Sequence, residues 1–470
     1  LSVYGPIAGA PNIFNVVNLD KSQKKTPKTG WHEQTQSFFY SLELGWKSQL
    51  FVTTTGRKDW ASQLANSPQK SFFYPSVGVS WLPSSTFNFP EKFNYLKIRA
   101  SWASVANPFP RELTIATHPY DDTISGWDDK SNYPIGQLYP ERTKTWELGF
   151  DARFLHGFTL SASWYRADTY NQTFNPNLSA SSGYSDIYIQ TGHVRNTGVE
   201  ASLGYDHQWK NWNWNSQFTF SWNKNKIIEL CKEWYNPITE ETITMNRLQI
   251  SKLGRAKFIL KEGGSMGDLY STTDLRRDDK GNIEIDEGGN VVVEDNLPDM
   301  KLGSVFPDYN LAWRNSVSWK NLNLGFLVTA RIGGIVNSLT QANMDLFGVS
   351  EATAAARDAG GALVNGRSLV NPETWYTAIA SQGGIPQYYT YSATNVRLQE
   401  LSLGYTIPRK WLHNICSITV SFVGRNLWMM YCKAPFDPEA VASTGLNYQG
   451  IDYFMMPSVR NLGFNVKFQF

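Results

Sequence analysis

The chain alternates apolar and polar residues with a period of two, and the pattern is clearest at its C-terminal end. The apolar positions there are Leu462, Phe464, Val466, Phe468 and Phe470. The residues between them are polar or small, so the segment predicts a β-strand with one apolar face and one polar face. Strands of about 9–11 residues with this pattern are the repeating unit of transmembrane β-barrels.

The same pattern recurs about 13 times along the chain. The predicted strands are 38–46, 49–57, 73–82, 94–103, 143–154, 158–164, 198–208, 212–223, 309–319, 322–331, 397–407, 415–428 and 460–470. A Trp, Tyr or Phe ends the apolar face of many of these strands. Aromatic residues collect at the boundaries of a membrane, so this placement agrees with a barrel that crosses one.

The connections between the predicted strands alternate between short and long. Short ones fall near 47, 156, 210, 320 and 411, with a slightly longer one at 83–93. The long ones are 58–72, 104–142, 168–197, 224–308, 332–396 and 429–459. Outer-membrane barrels have short periplasmic turns and long external loops. The sequence therefore predicts an all-β fold, a transmembrane antiparallel β-barrel in the bacterial outer membrane, with its C-terminus in the periplasm.

The number of predicted strands is odd, and the first and last would both run towards the periplasm. Bacterial single-chain barrels have an even number of strands, and lipid does not tolerate an unpaired sheet edge. We therefore expect residues 1–470 to be the C-terminal part of one larger barrel domain. Its N-terminal strands, and any domain before them, would lie outside this chain.

Composition supports a barrel over the other classes. Only 18% of residues are charged, whereas 14% are aromatic, including 18 Trp. The net charge of +2 gives no sign of a nucleic-acid partner. Three scattered cysteines are too few for a disulfide framework or a Cys-x-x-Cys metal site.

Three motifs could suggest an enzyme or a metal site, and none of them fits. Residues 263–267 match G-x-S-x-G, but a catalytic Ser265 would need a strand before it and a helix after it. Residues 278–282 could suggest a calcium loop, but Lys280 occupies a ligand position and a hairpin tip fits better. The six histidines show no paired spacing for a metal. The sequence therefore predicts no catalytic residues, no metal and no cofactor.

Aromatic residues lie beside carboxylates and amides in two of the long loops, an arrangement that suits sugar rings. The candidate substrate-binding residues are Trp127, Asp128, Asp129, Trp375, Tyr376, Tyr388 and Tyr389. The alternative is that these rings pack the loops on themselves or on a partner. In the loop 332–396, Ser350 followed by residues 351–358 predicts a short capped helix.

Several segments, in order along the chain, resemble SusC/RagA-type TonB-dependent transporters of Bacteroidota outer membranes. They are LFVTTTGRKDW (50–60), FFYPSVGVSW (72–81), LKIRASWASVAN (96–107), VRNTGVEASL (194–203), VRLQELSLGYTIP (396–408), GRNLWMM…FDPE (424–439) and MPSVRNLGFNVKFQF (456–470). The loops 224–308 and 332–396 show little resemblance, and these loops would select the substrate.

The resemblance implies a plugged barrel of about 22 strands, of which about 13 are visible here. It implies active import of oligosaccharides with a SusD-like lipoprotein, powered by the TonB–ExbB–ExbD complex through a plug before the barrel. Dimers of such SusC–SusD-type pairs would lie among outer-membrane lipid. The machinery that inserts the barrel into the membrane would recognise Phe468 and Phe470. The alternatives are a peptide importer of the same family, and a passive porin or adhesin barrel.

Overall fold

A computed structural model describes residues 5–8, 11–20, 22–23, 32–111, 113–114, 120–121, 126–127, 138–174, 188–236, 240–253, 255–443, 445 and 449–470. One sheet of 13 antiparallel strands dominates it, and each strand pairs with the next one along the chain. The strands are β1 (Thr35–Trp46), β2 (Leu50–Ala61), β3 (Ser71–Trp81), β4 (Phe93–Asn107), β5 (Glu141–Phe154), β6 (Phe158–Phe174), β7 (Ile189–Trp209), β8 (Trp212–Glu229), β9 (Tyr309–Trp319), β10 (Leu322–Ile332), β11 (Asn395–Ile407), β12 (Ser417–Cys432) and β13 (Asn461–Gln469). The predicted all-β fold and its 13 strands are confirmed.

The two faces of the sheet have opposite character, as the alternation predicted. On one face, which we call the outer face, Trp146 and Leu148 are 57% and 53% exposed. On the other, the inner face, Arg99 Nη1 lies 2.7 Å from Asp151 Oδ2, and Ser161 Oγ donates to Asp151 Oδ1 at 2.7 Å. Apolar side chains therefore point outward, and polar side chains bond to one another inside.

Aromatic rings form a ladder across the outer face near the short turns. Ring centroids lie 6.2 Å apart between Phe93 and Phe154, 5.7 Å between Phe154 and Phe158, and 4.5 Å between Phe158 and Tyr205. Four neighbouring strands supply these four rings. The ladder lies where the apolar face ends, as the sequence predicted for a boundary girdle.

Several strands extend further towards the long connections than the sequence predicted. Strand β6 ends at Phe174, whereas the predicted strand was 158–164. Strand β7 begins at Ile189, whereas the prediction was 198–208, and strand β8 ends at Glu229, whereas the prediction was 212–223. Beyond Trp164 and Trp222 the outer face carries charged residues, so the apolar alternation stops. The hydrogen-bonded ladder does not stop there: Arg166 still pairs with Thr197, and Thr197 with Lys224. The predicted boundaries were wrong because apolar alternation ends before backbone pairing does.

The long connections contain structure of their own. Their strands are Tyr120–Asp121, Gly126–Trp127, Cys231–Asn236, Glu241–Met245, Arg247–Leu253, Ala256–Lys261, Asp268–Ser271, Asp274–Leu275, Val293–Glu294, Met300–Ser304, Ile335–Ser338, Ala362–Val364, Ser368–Val370, Thr390–Ser392 and Ile451–Asp452. The α-helices are α1 (Pro83–Thr86), α2 (Leu339–Leu346), α3 (Glu351–Asp358) and α4 (Pro372–Ala380). Among the described residues, the 3-10 helices are Val16–Asn18, Ser62–Leu64, Pro386–Tyr389 and Arg409–Leu412.

The sheet has two edges within the described residues. Strand β1 pairs only with β2, and β13 pairs only with β12. Every residue of both edge strands is exposed. The other 11 strands each have a partner on both sides.

Candidate functional site

Three long connections fold together at one end of the sheet. We call the described residues of 230–308, 333–394 and 433–460 the loop module. Leu275 and Val291 of the first connection share a buried cluster with Ala342, Ile379 and Ile385 of the second. The third connection joins through parallel pairing of 451–452 with 337–338. The two loops with little family resemblance therefore form one packed unit.

Capped helices build a cleft in this module. Ser350 Oγ accepts a hydrogen bond from Thr353 N at 3.2 Å, so the predicted capped helix is confirmed as α3. Asn371 caps α4 in the same way, through the backbone N–H of Glu373. Between α2, α3 and α4 lies an open cleft of about 620 Å³. Its walls include Asp345, Phe347, Thr353, Arg357, Glu373 and Tyr376.

The structure places the four aromatic candidates of this loop in different environments. Tyr376 lines the cleft. Trp375 and Tyr388 meet edge to face with centroids 5.7 Å apart, and Tyr388 is 38% exposed. Tyr389 is 2% exposed, so it supports the wall of the module and presents no face to solvent. Contact of the other three with substrate stays a prediction.

Tyr389 belongs to a buried polar group beneath the cleft. Its hydroxyl donates to Asp345 Oδ2 at 3.0 Å, and Gln341 Nε2 donates to Asp345 Oδ1 at 2.9 Å. Burial, with the charge of Asp345 beside it, raises the pKa of Tyr389 far above its ordinary value. The guanidinium of Arg255 lies 5.9 Å from the Tyr389 ring centroid, and burial lowers its pKa. These contacts fix the floor of the cleft.

The remaining candidates lie in the connection between β4 and β5. Gly126–Trp127 pairs with Tyr120–Asp121 in a two-stranded sheet. The Trp127 side chain and both Asp128 and Asp129 lie outside the described residues. Their predicted role is therefore unchanged.

A buried ion pair links the sheet to the loop module, and no pattern in the sequence predicts it. Arg397 of β11 lies 2.9 Å from Asp437 through Nη2, and their side chains are 5% and 9% exposed. Burial alone would raise the pKa of Asp437, but the hydrogen bond from Arg397 holds it below its ordinary value. The two residues come from separate segments, 396–408 and 424–439, that carry the family resemblance. The motifs gave a signal for each segment but none for their contact.

The inner face of the sheet forms a second polar surface. A concavity of about 660 Å³ lies along it, lined by residues that include Arg99, Ser161, Glu200, Thr219, Asn310 and Arg331. The loop module contacts this face: Met266 N donates to Asn225 Oδ1 at 2.8 Å, and Arg331 Nη2 donates to Val305 O at 2.8 Å. The module therefore covers part of a polar-lined wall.

The motifs set aside in the sequence have structural roles. Ser265 lies in a turn followed by the strand Asp268–Ser271, so the strand–turn–helix of a nucleophile elbow is not formed there. Asp278 Oδ1 accepts hydrogen bonds from the backbone N–H groups of Lys280 and Asn282 at 2.9 and 2.8 Å, which confirms the predicted hairpin tip. In the part of the chain that the structure describes, no three His, Cys, Asp or Glu side chains are grouped to hold a metal.

Phe468 and Phe470 lie at the exposed edge of the sheet. Phe468 is in β13 and is 55% exposed, and Phe470 follows that strand and is 81% exposed. None of the described helices combines the length and apolar character needed to cross a membrane.

Comparison with known proteins identifies the fold's relatives. Residues 3–427 match the family model described as TonB dependent receptor-like, beta-barrel. TonB-dependent receptor P3 of Formosa agariphila is 27% identical, over 99% of this chain and 49% of that protein. TonB-dependent receptor SusC of Bacteroides thetaiotaomicron is 21% identical, over 80% of this chain and 38% of that protein.

Solved structures agree on the fold. The RagAB peptide importer in its closed-closed state superposes with a TM-score of 0.73 at 17% identity, over 98% of this chain and 50% of that one. The chain spans about half the length of TonB-dependent receptor P3 of Formosa agariphila. The resemblance to SusC/RagA-type transporters is confirmed. The chain belongs to the TonB-dependent receptor-like β-barrel family.

Proposed function

We propose that this chain is the later barrel part of a TonB-dependent importer that brings oligosaccharides across the bacterial outer membrane. The observation that carries the proposal is the loop module folded over a polar-lined inner wall. A solute captured by the module would meet hydrogen-bonding side chains along the wall, whereas the apolar outer face would meet lipid.

Import would need energy from outside this membrane, since the outer membrane holds no energy source of its own. In the proposed machine, a plug domain before residue 1 closes the barrel. The TonB–ExbB–ExbD complex pulls that plug aside. A SusD-like lipoprotein holds cargo against the external loops, and two such pairs form a dimer. With the loop module external, the short turns and the C-terminus are periplasmic.

The loop module favours a glycan as cargo. Tyr376 at the cleft and the Trp375–Tyr388 pair beside it offer ring faces on which sugar C–H groups can stack. Asn371 and Glu373 in the cleft wall offer partners for hydroxyl groups. Aromatic faces with a few convergent polar groups are the usual lining of a small-molecule site.

The cargo is tested by uptake of fluorescent oligosaccharides in cells that make the full-length protein. The variant Tyr388→Ala with Glu373→Ala should lower uptake by roughly tenfold or more, since each contact contributes about 1 kcal/mol. Lys280→Gln, on an exposed hairpin tip, is the matched control and should leave uptake unchanged. Normal uptake by the double variant would contradict the cargo site. Uptake that persists without TonB would instead indicate a passive porin.

A peptide is the second candidate cargo, because the cleft wall carries both signs of charge. Arg357 and Glu373 line the same cleft and could bind the two termini of a short peptide. The structural neighbour RagAB is described as a peptide importer. Competition decides between the cargoes: a mixture of short peptides that blocks oligosaccharide uptake would favour the peptide.

A further inference from the structure

A band of basic residues lies on the outer face of the sheet, where the strands extend past the apolar band. It comprises Lys144, Arg166, Arg195, Lys224 and Lys226, which we call the basic stripe. Two cross-strand rows carry it. One row runs Trp146–Arg166–Thr197–Lys224, and the next runs Lys144–Asp168–Arg195–Lys226. Directly opposed residues of neighbouring strands point to the same face. The stripe therefore shares the face of Trp146.

One buried carboxylate holds the two arginines of the stripe. Asp168 is 9% exposed at its side chain and accepts Arg166 Nε at 2.8 Å and Arg195 Nε at 2.7 Å. His193 Nε2 lies 2.7 Å from the same carboxylate. Both arginines use Nε for these bonds, and among the described residues their terminal Nη atoms have no further hydrogen-bond partner. Asp168 thus orients two guanidinium groups and leaves their outer donors available.

The three lysines add charge that nothing nearby neutralises. Lys144, Lys224 and Lys226 are exposed, and in the described part of the chain none of them forms a salt bridge. The Lys144 ammonium lies 5.3 Å from the Tyr170 ring centroid. One acidic residue, Asp168, lies within the two rows, and Glu229 lies beyond them, opposite His193. Five basic groups against one carboxylate leave a strong positive excess.

The dimensions of the stripe suit a headgroup that carries phosphate. Four neighbouring strands span about 15 Å, and the two rows are about 7 Å apart. The apolar outer face begins directly beside the stripe at Trp146 and Trp164, which are 57% and 37% exposed. A molecule with an anionic head and apolar tails would contact both surfaces at once. A soluble ligand would be expected in a concavity, and this face of the sheet is the one that meets lipid in the proposed function.

We propose that the basic stripe binds the phosphorylated headgroup of a glycolipid in the external leaflet of the outer membrane. This inference rests on the proposed orientation, in which the long loops are external. The guanidinium groups held by Asp168 would bind phosphate oxygens through paired N–H donors, and the three lysines would surround them as point charges. The acyl chains would lie along the apolar outer face of the four neighbouring strands β5 to β8. Such a lipid would fix the depth of this part of the wall.

The test uses the full-length protein in mild detergent and native mass spectrometry. The probes are monophosphoryl lipid A and the same lipid with its phosphate removed. The stripe variant is Lys144→Gln with Lys224→Gln and Lys226→Gln, all three at exposed positions. The matched control is Lys47→Gln with Lys210→Gln and Lys320→Gln, three exposed lysines at the short turns.

We expect the stripe variant to bind monophosphoryl lipid A on the order of a hundredfold more weakly than the wild type. Each of the three lysines would account for a loss of affinity of about tenfold or less. The control variant should bind it normally, and millimolar inorganic phosphate should not displace it. Equal affinity for the two lipids, or normal binding by the stripe variant, would overturn the proposal. Complete displacement by inorganic phosphate would also overturn it, since the site would then be one for a free anion. The experiment contains no oligosaccharide, so its outcome does not depend on whether the protein imports one.

Discussion

The 13-stranded sheet, which we call the wall, and the loop module are stabilised by different interactions. Every strand of the sheet between β1 and β13 is hydrogen-bonded to a neighbouring strand on both sides, and its outer face remains exposed. The loop module instead depends on small buried clusters and on a few buried polar contacts. Arg397 with Asp437 and Ser338 with Asp452 are two of these, at 2.9 and 2.6 Å. The wall therefore spreads its stability over many backbone bonds, whereas the module concentrates it in a few side chains.

This difference predicts which substitutions each region tolerates. A side-chain change in the wall leaves the backbone ladder intact, so its cost depends on whether the position faces lipid or the interior. A change at a buried pair in the module leaves the partner charge without compensation, so its cost depends on burial. The following substitutions test this distinction, from the largest expected effect to the smallest.

Arg397→Ala should have the largest effect. It leaves the buried Asp437 carboxylate unpaired, which costs about 3–5 kcal/mol. Hydrogen exchange should show loss of protection in 433–460 while the wall stays protected. Arg425→Ala is the control, because the Arg425 side chain is 66% exposed and its contact with Glu400 is worth about 0–1 kcal/mol. Equal effects of the two variants would remove burial as the explanation.

Phe464→Arg should come next, as a test of the outer face of the wall. A charged residue near the middle of a membrane-facing strand costs about 2–4 kcal/mol. Folding yield and unfolding in lipid bilayers measure the effect. Asn465→Arg, on the opposite face of the same strand, should cost far less. If both substitutions folded equally well in bilayers, the assignment of Phe464 to the lipid-facing side would be wrong.

Asp299→Asn should lower the stability of the loop module by about 1.5 kcal/mol. It should also remove part of the dependence of that stability on pH. Arg247 donates to Asp299 at 2.6 and 2.8 Å, and this hydrogen bond holds the pKa of Asp299 well below its ordinary value of 3.8. The folded pKa is depressed, so the stabilisation is present above pH about 4 and is lost as the pH falls further.

The readout for Asp299 is exchange protection of residues 247–304 between pH 5 and pH 2.5, conditions chosen to span the ordinary carboxyl range. Wild-type protein should lose protection of these residues as the pH falls, whereas the variant should start lower and change less. A variant that follows the wild-type curve would show that another carboxylate causes the pH dependence.

Deletion of Phe470 should have the smallest effect on stability. The side chain is 81% exposed at the end of an edge strand, so little buried area is lost. The family resemblance nevertheless implies that the terminal aromatic residue is read during assembly. The assembled amount in outer membranes should therefore fall severalfold, whereas Phe470→Tyr should restore it. Wild-type levels of the deletion variant would refute a role in assembly.

The sequence determined the wall because a strand pattern of period two is a local property. In β9 the predicted range 309–319 matches Tyr309–Trp319 at both ends, since apolar and polar residues alternate over the whole strand. In β7 the prediction began at 198 and the strand begins at Ile189. There the outward positions hold His193 and Arg195, so the backbone continues to pair after the apolar signal has ended.

Tertiary structure alone decided the contacts between distant segments. Tyr389 and Tyr388 are adjacent in a run of aromatic residues, yet one is buried on Asp345 and the other is 38% exposed. Arg397 and Asp437 are 40 residues apart, and no pattern in either segment indicates their pairing. The basic stripe likewise exists only because strand register aligns Lys144, Arg195 and Lys226. Alternation along the chain fixes which face a residue takes, whereas register and packing fix its neighbours.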